Sequence, residues 1–552
     1  MEVLQVMEKK SDNEFLVQGS ILAISSIVSR FIGMLYKIPM TNIIGDKGMG
    51  YYSSAYELYN IALIVSSYSI PTAVSKIVSA KVSRKENRDV MHIFKRSLVL
   101  AAVIGAIASL FVFAFAGTWG VITGDKSVAI PLRVLAPTIF VFSIMGVIRG
   151  YFQGHRTMIP TALSQLIEQI INAFVSVFAA YLLMKAHNAA VNSEAYGAAG
   201  GTLGSLAGAL SGLVFLIFVY YINRSYFRRK ALSDTSGSCQ SIGEFIVVFF
   251  STTIPIILSQ TAYQASGIID NTIFGTYMKS VGLNDDVYFY WGIYSNKYRM
   301  LTNLPVAIAT ALGTSIVPTL SACHAAGNIK ECRQKIASGI KFNMIIAFPC
   351  AVGMAVLARP IILLLFPGTE IAVSSKILMI GAAAIVFFAL STLTNGVLQG
   401  IDRMIIPVVN AVLALAIHVF LVIIMLYYGK MSIYGLVIGN ITYALTVCIL
   451  NWFAIKRNAG YHQEILTTFI IPFAASGVMG ICAYFTYMAL IRLMGSSLVA
   501  NGIATLFAVI VAVIVYTVVL VKLHGVSVEE LYTFPKGASL VRLLKKCGLI
   551  RY

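Results

Sequence analysis

Long apolar stretches alternate with short polar connections along the whole chain of 552 residues. A helix that crosses a membrane needs about 20 mostly apolar residues, and fourteen stretches of the sequence are long enough. Their approximate bounds are 16–38, 52–80, 92–116, 128–152, 158–184, 198–222, 242–276, 287–321, 337–358, 373–399, 404–428, 432–455, 466–491 and 499–522. Pro255 and Pro305 lie inside the two longest stretches, where we expect bends. The pattern predicts an all-α polytopic membrane protein with 14 transmembrane helices.

The composition agrees with this prediction and excludes a soluble globular protein. Hydrophobic residues make up 58% of the chain, charged residues make up 11%, and the mean hydropathy is +0.83. Soluble domains carry about 25% charged residues. The N-terminal residues show no cleavable signal pattern, so we expect the first apolar stretch to be a span. The seven cysteines are scattered singly, which predicts buried apolar side chains and neither a metal site nor a disulfide framework.

Positive charge predicts the orientation of the spans, because Lys and Arg accumulate in cytoplasmic connections. With the N-terminus inside, the basic connections 81–96, 224–230 and 330–335 are cytoplasmic, and so is the C-terminus. Seven basic residues fall in connections on the opposite side: Lys47, Lys126, Lys185, Lys279, Lys376, Lys430 and Arg492. The net charge of +19 therefore indicates topology and attraction to anionic lipids, and we predict no binding of nucleic acid.

A short motif occurs twice and relates two halves of the chain. The sequence GYFQGHRTMIP at 150–160 lies between spans four and five, and GVLQGIDRMIIP at 396–407 lies between spans ten and eleven. The offset is an even number of spans, so both halves enter the membrane from the same side and their pseudo-twofold axis runs along the membrane normal. We interpret each motif as a cytoplasmic corner whose Gly residues allow the turn and whose Pro opens the next helix. A binding site is the alternative interpretation.

The repeat predicts how the chain is divided. Two six-helix lobes that face each other across a cleft form a transporter architecture, and the last two spans are an addition to it. The predicted parts are an N-terminal lobe (1–222), a cytoplasmic linker (223–241), a C-terminal lobe (242–455), two extra C-terminal helices (456–523) and a basic cytoplasmic tail (524–552).

Charged residues deep inside the spans need a specific reason, because placing a charge in the membrane is costly. Arg30 and Arg299 lie near the middle of spans one and eight. At the repeat offset, Glu57 and Asp270 fall on or near these two arginines. We predict that Arg30 and Arg299 face one cavity and that an anionic ligand displaces the two acidic partners. Fixed ion pairs between the lobes are the alternative. Arg suits phosphate because its planar fork binds two oxygens and stays charged.

Other polar residues are candidates for the same cavity. Lys37, at the outer end of span one, would continue a basic path or extend to the membrane surface. Gln165 and Glu168 belong to a polar stripe in span five, which either lines the cavity or links helices through hydrogen bonds. Arg149 precedes the first corner motif, where it would touch an incoming head group. The further candidates are Lys37, Lys76, Lys297, Arg149, Gln165 and Glu168.

Three segments and the number of spans resemble the MurJ/SpoVB-like lipid flippases of the multidrug/oligosaccharidyl-lipid/polysaccharide (MOP) exporter superfamily. The segments are SRFIGMLYKIP (29–39), PTAVSKIVSAK (71–81) and RGYFQGHRTMIPTALSQLIEQI (149–170), and the resemblance covers about residues 16–520. It implies a MATE-like transporter of the bacterial cell membrane that exports lipid II, the undecaprenyl-pyrophosphate-linked precursor of the peptidoglycan cell wall. Spans thirteen and fourteen then form a groove for the lipid tail.

The resemblance also implies roles and partners. The essential arginine in span one of the family matches Arg30, and the basic residue in span eight matches Arg299. The implied partners are lipid II, membrane lipids and the cell-wall synthesis machinery, with the protein acting as a monomer. Some members bind sodium through spans seven and eleven, where Asp270, Asn271 and Asn410 stand in this chain. No other metal or cofactor is expected.

Other functions fit parts of the pattern. A flippase for a capsule or teichuronic precursor would share the cavity, and a multidrug exporter would instead need an acidic, cation-binding cavity. A non-transporting scaffold for cell-wall assembly would leave the deep arginines unexplained. There is no Walker A motif and no nucleophile with a base and an orienting residue, so we predict no enzyme.

Overall fold

The computed structural model describes residues 12–234, 240–526 and 542, so most of the predicted basic tail lies outside the described residues. The regular elements within these ranges are all helices. The α-helices are α1 (Asp12–Leu35), α2 (Lys37–Leu63), α3 (Ile70–Ser83), α4 (Asn87–Thr123), α5 (Ala129–Gly154), α6 (Ile159–Ala186), α7 (Ser193–Leu232), α8 (Ile242–Ser280), α9 (Val287–Gly292), α10 (Arg299–Ala325), α11 (Ile329–Val356), α12 (Ala358–Leu365), α13 (Ala372–Gly381), α14 (Ala383–Gly400), α15 (Ile405–Ile423), α16 (Ile433–Ala459), α17 (Ile471–Met494) and α18 (Leu498–Lys522). The chain forms two compact units, residues 1–292 and 293–552.

The helices confirm the all-α fold of a multi-pass membrane protein. Within the described residues, twelve helical segments are long and apolar enough to cross a membrane, and they correspond to predicted spans two to six and eight to fourteen. Spans one and seven correspond to α1 and α8, whose apolar parts, Ile24–Leu35 and Ile242–Leu258, are shorter. The predicted count of 14 is compatible with these helices. The predicted division into two lobes at 223–241 follows the internal repeat of the sequence, and it stays a prediction.

A kink at Gly45 joins the first two spans of the first unit. α2 is continuous in hydrogen bonding but contains Gly45 at φ 70° and ψ 179°, far from helical geometry. A left-handed φ of this kind costs little only for glycine. The chain can therefore turn within α2 and continue through a π-helical turn, Ile64–Tyr68, into α3.

The two corner motifs have the same backbone geometry in the two units. Arg156 and Asp402, at equivalent positions, have φ values of 60° and 59°. In each corner an N–H after the helix reaches back five residues, from Thr157 to the Phe152 carbonyl (3.0 Å) and from Arg403 to the Leu398 carbonyl (2.9 Å). This is the Schellman pattern of a helix end. The expectation that glycines supply the turn is wrong, because the left-handed residues are not glycines.

The glycines of the motif instead allow close helix packing. A Cβ at Gly154 would lie 2.6 Å from Val78 Cβ, between α5 and α3 of the first unit. A Cβ at Gly400 would lie 2.7 Å from Leu320 Cβ, between α14 and α10 of the second unit. Both distances are too short for a real side chain. The repeated glycines thus let one helix of each unit approach its neighbour in the same way.

The second unit holds the last two membrane helices through small residues. Ala475, Met479 and Ala483 of α17 and Ala508 of α18 belong to one buried apolar cluster with Ile345 of α11. The opposite faces of α17 and α18 present large apolar side chains to the surroundings. Such faces suit a lipid environment. The predicted lipid-tail groove at these helices stays a prediction.

The cysteine prediction needs a correction. Cys323 and Cys332, which are nine residues apart, form a disulfide with 5.7 Å between their Cα atoms. The turn between α10 and α11 folds the chain back and places the two residues side by side. The scattered spacing in the sequence gives no sign of this pairing. Among the described residues, Cys350, Cys448 and Cys482 are free thiols, as expected for apolar surroundings.

Candidate functional site

A cavity of about 450 Å³ lies inside the first unit and is the candidate functional site. It combines cationic, amide, hydroxyl and aromatic side chains from α1, α2, α5, α6 and α7. Five of the predicted site residues line it: Arg30, Lys37, Arg149, Gln165 and Glu168. The structure therefore brings these five residues, which come from α1, α2, α5 and α6, to one cavity, and their role in binding stays a prediction.

The packing of α1 on α6 places Arg30 at the cavity. Ser26 Oγ donates a hydrogen bond to Gln165 Oε1 at 3.2 Å, one turn before Arg30. One turn after Arg30, a Cβ at Gly33 would lie 3.3 Å from Gln169 Oε1, so a small residue is favoured there. Arg30 itself is exposed, and no carboxylate among the described residues forms an ion pair with it. Its guanidinium is thus available to a ligand in the cavity.

An ion pair forms part of the cavity wall between α5 and α6. Arg149 Nη2 donates to Glu168 Oε2 at 2.8 Å, and the Arg149 Nε donates to Ser164 Oγ at 3.0 Å. Each of the two charged side chains is 11% exposed. Gln169 Nε2 donates to the other oxygen of Glu168 at 3.3 Å. Neighbouring partners therefore fix the orientation of Arg149 while leaving its edge at the cavity.

Five tyrosines, here called the tyrosine wall, make up most of the aromatic lining, to which Phe142 also belongs: Tyr36, Tyr52, Tyr56, Tyr59 and Tyr68. Tyr52, Tyr56 and Tyr59 follow one another at four- and three-residue intervals, so they lie on one face of α2. The Tyr52 and Tyr56 ring centroids are 4.5 Å apart, and those of Tyr56 and Tyr59 are 5.3 Å apart. This spacing is that of packed aromatic pairs.

Hydrogen bonds hold the tyrosine wall in place. The hydroxyls of Tyr36 and Tyr52 are 2.8 Å apart, and the Tyr56 hydroxyl bonds to Ser205 of α7. The ammonium of Lys37 lies 5.6 Å from the centroid of the Tyr52 ring, a cation–π arrangement. Lys37 therefore belongs to the cavity through an aromatic contact, as well as through its charge.

Three further predicted residues of the first unit lie elsewhere. Glu57 packs against α8, since a Cβ at Gly267 would lie 2.2 Å from Glu57 Oε2. Asp270 is buried, with 3% of its surface exposed. Lys76 is exposed on α3. None of the three is part of the cavity lining. Their predicted role in binding stays a prediction.

The basic residues of the second unit have a separate environment. Lys297 is fully buried, and its Nζ donates to the Glu370 carbonyl at 2.8 Å and to Ser374 Oγ at 3.0 Å. It lies in a π-helical turn, Ile293–Tyr298, that leads directly into half-buried Arg299. π-helical turns are frequent at functional sites. A shared role of Arg299 and Arg30 stays a prediction.

The two asparagines suggested for sodium, Asn271 and Asn410, have neutral partners. Asn271 Nδ2 donates to Ser54 Oγ at 2.7 Å in the first unit. Asn410 Nδ2 donates to Asn451 Oδ1 at 2.9 Å in the second unit, where Asn451 also donates to Thr394 Oγ1 at 2.9 Å. Over the described ranges there is no group of three or more His, Cys, Asp or Glu side chains arranged for a metal. Sodium coupling stays an untested expectation.

The sequence reading missed the tyrosine wall. The segment YYSSAYELYN at 51–60 carries the signal, because its tyrosines recur at helical spacing beside polar residues. In an apolar span such a face is polar enough to line a cavity. Asn172 of the lining belongs to the polar stripe that the sequence did show in span five, at i+4 from Glu168, whereas Ser205 gave no comparable pattern.

Comparison with known proteins agrees with this fold. The chain is 26% identical over 483 residues to the lipid II flippase MurJ of Bacillus subtilis (strain 168), covering 84% of this chain and 87% of that protein. It is 30% identical over 153 residues to stage V sporulation protein B of the same organism, covering 28% of this chain and 30% of that protein. A solved structure titled lipid II flippase MurJ, inward closed conformation, has a TM-score of 0.66 at 14% identity, covering 90% of this chain and 98% of that one.

Two family models match the sequence. The model described as MatE matches residues 298–424. The model described as polysaccharide biosynthesis protein matches residues 16–324, more than half of the chain. Together with the MurJ and stage V sporulation protein B relatives, these matches confirm the predicted resemblance to MurJ/SpoVB-like proteins of the MOP superfamily. The chain therefore belongs to the polysaccharide biosynthesis protein family.

Proposed function

We propose that this protein is a flippase that moves lipid II from the cytoplasmic to the outer leaflet of a bacterial plasma membrane. The observation that carries the proposal is the cavity of the first unit, whose lining holds three cationic side chains and one carboxylate. A positive cavity in a membrane protein suits an anionic ligand, because the ligand compensates charges that are costly at membrane depth.

The chemistry of the cations favours phosphate. Arg30 and Arg149 each present a planar guanidinium, which binds two phosphate oxygens at once. Arg149 is paired with Glu168 in the structure. A pyrophosphate would compete with Glu168 for this guanidinium and gain Arg30 as a second partner. Binding of the head group would thus replace the Glu168 carboxylate on Arg149 with a phosphate and would give Arg30 an anionic partner as well.

The relatives support the same class of substrate. The Bacillus subtilis relative that matches 84% of this chain is named a lipid II flippase, and the family is named for polysaccharide biosynthesis. Transport by alternating access of two lobes would carry the head group across, and the two C-terminal helices would hold the lipid tail. We propose no catalysed reaction and no bound cofactor, and a monomer that works beside the cell-wall synthesis machinery.

The membrane potential would drive the transport. Moving one charge across 100 mV changes its free energy by about 2.3 kcal/mol. With cytoplasmic termini and a negative interior, outward movement of a pyrophosphate is favourable without ATP. Sodium coupling, for which Asn271 and Asn410 are candidates, stays an untested expectation. Transport that continues unchanged after the potential is collapsed would contradict this part of the proposal.

Complementation tests the proposed function. A bacterium depleted of its own lipid II flippase should grow with the wild-type gene and fail with Arg30→Ala, while Arg30→Lys should restore little because the planar fork is lost. Arg156→Ala, at the exposed corner outside the cavity, is the matched control and should support growth. If the wild-type protein is present in the membrane and growth still fails, lipid II is the wrong substrate. Rescue of a strain that lacks a capsule-precursor flippase would then assign that glycan instead.

A further inference from the structure

The tyrosine wall exceeds what binding of phosphate requires. Phosphate oxygens accept hydrogen bonds from cations and N–H groups, and they gain nothing from an aromatic face. Two of the five tyrosine hydroxyls, those of Tyr36 and Tyr52, bond to each other. The Tyr56 hydroxyl is occupied by Ser205. Three of the five hydroxyls of the wall are therefore engaged within the protein and do not serve a ligand first.

Tyr68 is the ring best placed to contact a ligand. It lines the cavity and has 52% of its surface exposed, whereas Tyr52 and Tyr59 are 1% and 2% exposed. It belongs to the π-helical turn Ile64–Tyr68, which directs the chain from α2 into α3. The rings of Tyr56 and Tyr59, which line the same cavity, pack on each other with their centroids 5.3 Å apart. Tyr68 is thus an exposed aromatic ring at a cavity lined by packed rings, where a flat apolar face of a ligand can stack on it.

Amide side chains also line the same cavity. Gln165, Gln169 and Asn172 recur at helical spacing along α6, and Asn60 of α2 joins them. Each amide carries two donors and an acceptor with two lone pairs. Vicinal hydroxyl groups, which also donate and accept, are the complementary ligand. The cavity thus pairs an aromatic face with groups that bind hydroxyls.

This lining does not suit the isoprenoid chain of a lipid-linked precursor. An isoprenoid chain offers no hydrogen-bonding group and no charge to the cationic and amide side chains of the lining, and burying them against it would be costly. The volume of about 450 Å³ lies within the range of about 300–1,000 Å³ for sites that enclose small ligands. A saccharide has the required flat apolar C–H face and a rim of hydroxyls.

We propose that this cavity is a saccharide subsite, in which Tyr68 stacks on a pyranose ring while amides of α6 bind the ring hydroxyls. The pyranose is the one attached to the pyrophosphate, because Arg30 and Arg149 line the same cavity. The inference rests on the proposed function, which it refines by assigning selectivity for sugar to residues distinct from those that bind phosphate.

Binding measurements with two probes separate these roles. The probes are undecaprenyl pyrophosphate and the same carrier bearing one N-acetylated pyranose, and binding is measured by native mass spectrometry of the full-length protein. The wild type should bind the sugar-bearing probe more tightly. Tyr68→Ala should reduce this preference about tenfold and leave binding of the bare carrier unchanged. Tyr68→Phe should retain the preference, because the ring face remains.

The controls make each outcome decisive. Tyr221→Ala removes a tyrosine that is 69% exposed on α7, outside the cavity, and should change neither affinity. An unchanged preference in a folded Tyr68→Ala protein, or equal binding of both probes by the wild type, would overturn the saccharide subsite. Arg30→Gln should weaken both probes alike. If Arg30→Gln has no effect while Tyr68→Ala abolishes the preference, the phosphate role fails and the saccharide subsite stands.

Discussion

Arg149 and Glu168 form an ion pair, 2.8 Å from Nη2 to Oε2, in the wall of a cavity that also contains Arg30. Arg149 comes from the end of α5 and Glu168 from α6, on either side of the first corner motif. The corner thus brings the two charges together. Arg30 and Arg149 therefore differ in their resting state, since only Arg149 has a carboxylate partner among the described residues.

The ion pair should couple stability to ligand binding. Glu168→Gln removes the charge that neutralises Arg149, and we expect it to lower the free energy of unfolding by about 1.5–3 kcal/mol. Anionic ligand should bind Glu168→Gln more tightly than the wild type, because the competitor is gone. A double-mutant cycle with Arg149→Gln, followed by thermal unfolding in detergent, measures the coupling. Additive effects of the two substitutions would show that the pair contributes nothing.

The glycines of the corner motif should be needed for packing. A Cβ at Gly150 would lie 2.7 Å from the Pro71 carbonyl oxygen, which is backbone and moves little. Gly150→Ala should therefore destabilise the protein by about 1–3 kcal/mol. Gly117→Ala is the matched control, because nothing lies within 4 Å of its Cβ position on α4. It should be neutral or stabilise by up to about 1 kcal/mol. Equal melting temperatures for both variants would contradict the packing role.

The buried ammonium of Lys297 should stabilise the second unit. Lys297→Met keeps the length of the side chain but leaves the Glu370 carbonyl and Ser374 without their charged donor. We expect a loss of about 1.5–3 kcal/mol in the free energy of unfolding. Lys76→Met, at an exposed position, should change it by less than about 0.5 kcal/mol. Differential scanning fluorimetry compares the two, and an unaffected Lys297→Met protein would show that the ammonium is dispensable.

The first corner should make stability depend on pH. Burial lowers the pKa of His155 from its ordinary value of 6.5 to about 4, with a hydrogen bond to the Tyr151 backbone opposing this shift and nearby Lys230 adding to it. The unfolded chain therefore binds the proton at a higher pH than the folded protein does. The stabilising contribution is complete above about pH 6.5 and is lost as the pH falls toward 4.

His155→Phe isolates this effect from the titration of carboxylates. The imidazole packs against Tyr151 and Phe227, with centroid distances of 4.5 Å and 5.0 Å, so a phenyl ring fits the same surroundings. The melting temperature of the wild type should fall more steeply than that of His155→Phe between pH 6.5 and 4. Parallel curves would mean that His155 is protonated as easily in the folded protein as in the unfolded chain.

The sequence predicted the helices because their apolar length leaves no other conformation stable in a membrane. It also found Arg30, Arg149, Gln165 and Glu168, since charge and amide groups inside a span need partners. The cavity itself could not be predicted, because it depends on how α1, α2, α5 and α6 pack. A tyrosine does not need a polar partner in a span as a charged or amide side chain does. The helical spacing of the tyrosines was therefore a weaker sign of a cavity.

Local backbone geometry also escaped prediction. The left-handed residues at the corners are Arg156 and Asp402, although glycine was available next to both corners. Gly154 and Gly400 lie at helix contacts instead. The hydrogen bonds that end the two helices are donated by Thr157 and Arg403. The Cys323–Cys332 disulfide likewise depends on the turn between α10 and α11, and the spacing of nine residues alone does not predict that this turn places the two cysteines side by side.

The most direct test of the central claim is flipping by the purified protein in liposomes. Lipid II with a fluorescent label on its head group is placed in both leaflets, and a membrane-impermeant quencher reports how fast label from the inner leaflet reaches the outside. We predict rapid loss of the protected fluorescence with wild-type protein, and loss at least tenfold slower with Arg30→Gln. Protected fluorescence that persists with the wild type as in protein-free liposomes would contradict the assignment as a flippase.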